Sequence, residues 1–229
     1  MIKKKGTVKN IIFGIIGAII LFVVVTIVNL IIVGKNESII SKGQPIMNYS
    51  EQNYALLVVD IQEATTGDVS LYPYFKENSE NLIKNINQVA DSFNMQNFPI
   101  VYIRSEITNP LVNLINSSYA KGHQGARYDK RLKIFSNMEV AKKGKDSFRN
   151  TNLDSILTNN KIDELYIVGI DAAECVNATV EAAQNRGYKV NLIEEAVLSK
   201  SKEMTDSMML IFKDRRVRIM PIDSFRIMK

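Results

Sequence analysis

Asp60 and the single cysteine, Cys175, present reactive side chains at two strand ends. Asp60 closes the run Tyr54-Ala-Leu-Leu-Val-Val59, a continuous aliphatic stretch of the kind a strand buried on both faces presents. Cys175 lies a few residues past a second such run, Glu164-Leu-Tyr-Ile-Val168, where the next helix begins. In parallel α/β sheets, ligands gather at the carboxyl ends of strands. A thiol at a helix N-terminus sees the partial positive charge of unpaired N–H groups, which favours the thiolate; the same groups can hold an oxyanion. Taken singly, each residue also has an ordinary reading. Cys175 can be a small buried hydrophobe, Asp60 a helix cap or solvated strand end, and Lys142 a surface lysine in the charged run Ala-Lys-Lys-Gly-Lys.

The elements around them alternate between strand and helix patterns, which predicts a mostly parallel sheet of five to six strands with crossover helices on both faces. After Asp60, Leu82, Ile83, Ile86, Val89 and Ala90 fall near helical spacing over about 75–95. Pro99–Ile103 reads as a strand, and Met138–Ala141 as a short one. About thirty residues between them, rich in Gly, Asn, Ser and charge, read as irregular. Thr151 followed by Asp154 marks a helix start. Val176–Arg186 reads as a helix stopped by Gly187, Lys189–Ile193 as a strand, Ser201–Arg215 as a helix and Val217–Ile222 as a last strand.

Ahead of this domain, residues 11–34 are uncharged and almost wholly aliphatic, with Thr26 and Asn29 the clearly polar exceptions. The run has no polar stripe and is long enough to cross a hydrocarbon core of roughly 30 Å. It shows no small-residue cleavage site, so the expectation is an uncleaved single-pass anchor rather than a signal peptide. The first 45 residues hold six lysines and one glutamate, and the remainder balances at 23 basic and 23 acidic side chains. The formal charge of +5 therefore belongs to the N-terminus, and a nucleic-acid-binding domain is not indicated. Lys3, Lys4, Lys5 and Lys9 precede the run, against Lys35 and Lys42 with Glu37 after it. The positive-inside rule then puts residues 1–10 in the cytoplasm as a basic tail and the main domain outside. Residues 35–52 read as a linker and 53–229 as the domain. One cysteine rules out a disulfide scaffold, and one cysteine with one histidine rules out a four-ligand Cys/His zinc site.

In their order along the chain, these segments resemble the isochorismatase-like cysteine hydrolase family. Leu56-Leu-Val-Val-Asp60-Ile-Gln62 is similar to the family's strand ending in Asp-x-Gln. Lys142 stands six residues before Phe148, ahead of Thr151-Asn-Leu153, as the family's lysine does. Ile167-Val-Gly169 through Cys175-Val176 is similar to its Gly-to-Cys-Val junction, and Gly122-His-Gln-Gly125 is a weaker match to its Gly-Thr-x-Gly turn. The resemblance implies a three-layer, Rossmann-like domain with a catalytic Asp60–Lys142–Cys175 set. By that resemblance Asp60 would take the thiol proton, Lys142 would lower the thiol pKa, and Cys175 would form a thioester that water hydrolyses. It implies an oxyanion hole from the N–H groups of Cys175 and Ala172, beside a cis peptide at Asp171–Ala172. Gln62, Phe148 and His123 are then candidate substrate-binding residues.

Departures from the family narrow the reading. Nicotinamidase-like members bind a metal through additional histidines that this chain lacks, so no catalytic metal and no cofactor are expected. Members acting on the isochorismate vinyl ether typically lack the cysteine, so Cys175 points to an amide, carbamoyl or ureido C–N bond in a small-molecule substrate. Residues 63–67 replace the family's usual Asn or Asp and Phe. That change, with the anchor, motivates a rival reading as a non-catalytic surface binding or scaffold module. Family members often assemble into dimers or larger species, which leaves a homo-oligomer open.

Overall fold

The computed structural model describes residues 4–225; Lys3, within the basic 1–10 tail, and residues 226–229 of the domain lie outside it. Six strands form one sheet: β1 (Tyr54–Val59), β2 (Ile100–Ser105), β3 (Glu139–Lys142), β4 (Glu164–Ile170), β5 (Lys189–Leu198) and β6 (Arg218–Met220). Their order is β3-β2-β1-β4-β5-β6 and every pairing is parallel. The chain works outward from β1 to β3, then returns to β1's other side with β4. That reversal opens a crevice at the carboxyl ends of β1 and β4.

Because side chains alternate along a strand, the central strands feed two cores. Leu56 and Val58 of β1 pack with Leu82, Ile83, Ile86, Val89 and Phe93 of α2 (Pro73–Met95). Leu57 and Val59 face the opposite layer. There they meet Leu153 and Leu157 of α4 (Leu153–Asn159), Val176 and Val180 of α5 (Cys175–Asn185), and Met208, Met209 and Phe212 of α6 (Lys202–Asp214). Each fully buried Leu, Ile or Phe contributes about 1.5–3 kcal/mol relative to exposure, so α2 and the α4–α6 layer hold the sheet from both sides.

Gly169 decides how closely β4 approaches β1. Its φ is +122°, and a Cβ there would lie 2.1 Å from the Val59 carbonyl oxygen. Only glycine lets the end of β4, and the turn beyond it, settle beside Asp60. The interval read as irregular contains a further helix, α3 (Pro110–Ile115). Asn109 caps it by accepting from the N–H groups of Leu111 and Val112, and Pro110 opens it. Strand β5 runs five residues past Ile193, and that extension carries Leu198 alongside Ile170.

Helix α1 (Lys4–Glu37) runs beyond both ends of the apolar segment. It is long and apolar enough to cross a membrane, by a test that a signal sequence also passes, and its apolar stretch is not buried against the domain. Residues 38–52 have no regular structure, yet they are fastened to the domain. Asp146 accepts from Ser41 N–H at 2.7 Å, Ile46 N–H donates to the Arg186 carbonyl at 2.8 Å, and Ile40 and Ile46 pack on the core.

Candidate active site

Four strand ends converge at the crevice. Asp60 follows β1, Ser105 ends β2, Lys142 ends β3, and Cys175 opens α5 after the turn that leaves β4. Asp60 has φ +54°, a left-handed conformation that Asp tolerates better than most residues. It swings the carboxylate off the strand axis. Lys142 is on an edge strand, two strands from β1, and its long stem crosses the end of β2 to reach the centre. Only 1% of it is exposed.

The ammonium of Lys142 organises the site. It donates to Asp60 Oδ2 at 2.7 Å, to Ser105 Oγ at 2.8 Å and to Cys175 Sγ at 3.2 Å. Three donors meet three acceptors, so the buried charge is fully satisfied. Ser105 Oγ in turn donates to Asp60 Oδ1 at 3.1 Å. Burial by itself would lower the Lys142 pKa, but the facing Asp60 carboxylate and Cys175 outweigh it and hold the ammonium protonated well above its ordinary range.

The thiol is pulled in two directions. Burial pushes the Cys175 pKa up to about 12; Lys142 opposes that rise, as expected of it, and the Asp60 carboxylate adds to it. A thiolate is costly to desolvate, so burial is the larger of these effects.

The backbone at the turn corrects an expectation. The cis peptide is Ile170–Asp171, one residue earlier than expected. The Ala172 N–H, assigned to an oxyanion hole, donates to the Leu198 carbonyl at 2.9 Å. Among the described residues, the N–H groups of Asp171 and Cys175 have no acceptor, and both residues line the cleft. The Asp171 side chain adds a buried Oδ2 with no hydrogen-bond partner, with Lys200 Nζ 3.7 Å away.

The three substrate-binding candidates lie elsewhere. Gln62 is wholly buried. Its amide donates to the carbonyls of Ser105 and Ala126 at 3.0 and 2.9 Å and accepts from Ser105 N–H at 2.8 Å, so it ties β1's end to β2's. Phe148 belongs to the core, with the Arg186 guanidinium 4.3 Å above its ring. That arginine holds Asp154 and the carbonyl of Ser41, so Phe148 supports the segment following α1. His123 is exposed, caps a short 3-10 turn through Nδ1, and borders a separate groove with Arg104 and Tyr128.

The cleft over Cys175 has a volume of about 280 Å³ and is walled by Asp60, Tyr72, Ile107, Tyr119, Lys200 and, from α1, Glu37 among others. Ser105 was legible in principle, since it ends a strand at the edge where Asp60 and Lys142 stand. Tyr72, Tyr119 and Lys200 carry no sequence signal, because loops and helix starts far apart in the chain bring them in. Among the described residues, no three His, Cys, Asp or Glu side chains converge as a metal site. The arrangement pairs a nucleophile, a carboxylate able to take its proton, a fixed cation and two free N–H groups, which suits attack on a carbonyl carbon.

The family model for the isochorismatase domain matches residues 54–223. N-carbamoylsarcosine amidase of Arthrobacter sp is 26% identical over 156 residues, covering 62% of this chain and 58% of the amidase, so this chain spans less than two thirds of that protein. The secreted isochorismatase effector Isc1 of Verticillium dahliae is 27% identical over 173 residues, covering 74% of this chain and 85% of the effector. The crystal structure of N-carbamoylsarcosine amidase from Thermoplasma acidophilum superposes with a TM-score of 0.65 at 23% identity, covering 76% of this chain and 99% of that one. At that identity the superposition speaks for the fold.

Proposed function

The chain belongs to the isochorismatase family of hydrolases, and on that premise we propose that it is a membrane-anchored cysteine hydrolase cleaving an amide, carbamoyl or ureido C–N bond through a thioester on Cys175. The observation that carries this reading is the Lys142 ammonium in contact with Asp60, Ser105 and Cys175 at once. In the first step the thiol proton passes to the Asp60 carboxylate as the sulfur electron pair attacks the carbonyl carbon. The C–S bond forms, and the carbonyl π pair moves onto oxygen, where the N–H groups of Asp171 and Cys175 can receive it. Collapse of this intermediate breaks the C–N bond, and the Asp60 proton goes to the departing nitrogen. Water then attacks the thioester and gives a proton to Asp60. The C–S bond breaks, and the sulfur recovers that proton.

A thiol whose pKa burial raises fits this order of events, because the base stands beside it and takes the proton as the carbonyl is attacked. Lys142 stays cationic throughout and offsets negative charge on sulfur, carboxylate and oxyanion in turn. The unpartnered Asp171 Oδ2 is suited to accept from an N–H of the carbamoyl or amide head. The apolar run of α1 anchors the domain, and the lysine excess ahead of it favours a cytoplasmic N-terminus with the hydrolase domain outside.

Intact-mass spectrometry of the full chain with phenyl carbamate and acetyl p-nitroanilide tests the chemistry. An adduct on Cys175 that decays with time is the expected result, absent in Cys175→Ala and much slower to form in Asp60→Asn. Turnover that persists in Cys175→Ala would overturn the reading.

A further inference from the structure

The last turn of α1 forms part of the mouth of the cleft. The Glu37 carbonyl accepts from Lys145 N–H at 3.1 Å, and the Arg149 guanidinium donates to the Asn36 carbonyl. Glu37 is itself a wall of the cavity that holds Cys175. A second cavity of about 440 Å³ lies between this turn and the domain, with Val33 and Asn36 on one side and Thr108 and Asn109 on the other. It shares Glu37, Ile107, Lys143 and Gly144 with the cleft. The two spaces therefore adjoin, and the second runs from the cleft along the last turn of α1, with Val33 and Ile107 as its apolar lining among polar and charged side chains that include Asp146 and Arg149.

Helix α3 lies against α1 at the far side of that cavity. The Asn109 amide donates to Asn29 Oδ1 at 3.1 Å. Asn29 precedes Gly34, the end of the apolar run, by about 7.5 Å along the helix axis at 1.5 Å per residue. Whatever medium surrounds α1 at Asn29 therefore surrounds the start of α3. Leu114 and Ile115, at the other end of α3, are 68% and 61% exposed. Two large apolar side chains on a short helix fixed beside a membrane segment are stable facing acyl chains and costly facing water.

We propose that α3 inserts into the leaflet on the domain's side, next to α1, and that the cleft takes an amphiphilic substrate from the lipid. The amide, carbamoyl or ureido head reaches Cys175 while an apolar tail leaves past Ile107 and Val33 into the bilayer. This rests on the anchored-hydrolase reading above and adds the substrate class.

The chain contains no tryptophan, so single introduced tryptophans report position. The full-length protein is reconstituted in phosphatidylcholine vesicles as Phe22→Trp, Leu114→Trp or Met95→Trp, with acyl chains brominated at carbons 6 and 7. Met95 is 78% exposed and ends α2, at the amino edge of the sheet. Quenching of Leu114→Trp to a level near that of Phe22→Trp, with Met95→Trp unquenched, is expected. Quenching of Phe22→Trp with Leu114→Trp no more affected than Met95→Trp overturns the insertion of α3 and leaves the anchor intact. No quenching at Phe22→Trp removes the anchor, and this proposal with it. In the same vesicles, decanoyl p-nitroanilide is expected to be cleaved with a kcat/KM at least ~10-fold that of the acetyl compound, equivalent to about 1.4 kcal/mol. The Leu114→Ser/Ile115→Ser double variant should lose several-fold of that preference. Equal or slower cleavage of the decanoyl compound overturns the amphiphile assignment. No cleavage of either compound and no adduct on Cys175 defeats the hydrolase reading, and the substrate class falls with it.

Discussion

Lys142 and Asp60 form a buried ion pair whose members are each needed to make the other tolerable. Lys142→Met leaves the Asp60 carboxylate buried with Ser105 as its remaining side-chain donor, and breaking such a pair costs about 3–5 kcal/mol. Urea denaturation should show that loss, whereas Asp60→Asn, which keeps an acceptor, should destabilise less while cutting kcat by about 10²–10⁴ through loss of the base. Ser105→Ala removes a donor to Asp60 and an acceptor from Lys142. Its expected signature is a fall in kcat with little change in KM, since Ser105 orients the pair. The thiol supplies a third check. With the Cys175 pKa pushed up to about 12 by burial, the thiolate fraction grows with each step in pH. Iodoacetamide should therefore alkylate the native protein slowly at neutral pH and faster up to at least pH 10. A plateau near neutrality would show that Lys142 wins over burial.

At the level of elements, the site depends on how closely neighbouring segments approach. Gly169 lets β4 close on β1, and Gly144 lets the end of α1 rest on the loop after β3. A Cβ at Gly144 would lie 3.0 Å from both the Cα and the carbonyl oxygen of Glu37, which are backbone atoms with little room to give. Gly144→Val should push α1's last turn off the domain and expose residues 38–46 to limited proteolysis, with the catalytic core still folded. Helix α3 illustrates why element-level reading of the sequence stops short. Asn109-Pro110 is a sound cap and first-turn signal, yet the helix is six residues long and sits in a polar, glycine-containing stretch. It packs against α1, and periodicity over so short a span cannot reveal that.

Across the whole molecule, burial of ionisable groups sets the alkaline limit. Desolvation raises the pKa of Tyr119, Tyr128 and Tyr188, and that of Tyr166 to about 12, as it does for Cys175. In the unfolded chain, tyrosine ionises near 10 and cysteine near about 8.5. Above those values the unfolded state holds fewer protons than the folded one, so stability falls as pH rises. The raised pKa of Lys142 acts in the same direction: its stabilising pair is intact below the unfolded value and fades as pH climbs through the folded one. Melting temperature should decline steadily from about pH 9 upward, and Tyr119→Phe with Tyr188→Phe should flatten the decline.

The sequence by itself determined the layered parallel sheet and the apolar helix ahead of it, and it put Asp60 and Cys175 at the ends of strands. Each of these is written in local pattern: aliphatic runs, helical spacing, and side chains at strand ends. The tertiary structure alone decided the rest. Gln62, Phe148 and His123 stand in the right neighbourhood of the chain, but their side chains point into backbone, core and a different groove. Which N–H groups remain free depends on where β5 carries Leu198, and that is a pairing between segments 26 residues apart. The state of the Cys175 thiol depends on the balance between burial and one ammonium. The placement of α1's last turn at the cleft mouth depends on a glycine more than a hundred residues away. Local pattern specifies elements because backbone geometry repeats along the chain. Contacts between distant segments have no such repeat, so the pocket and its charge balance are properties of the packed molecule.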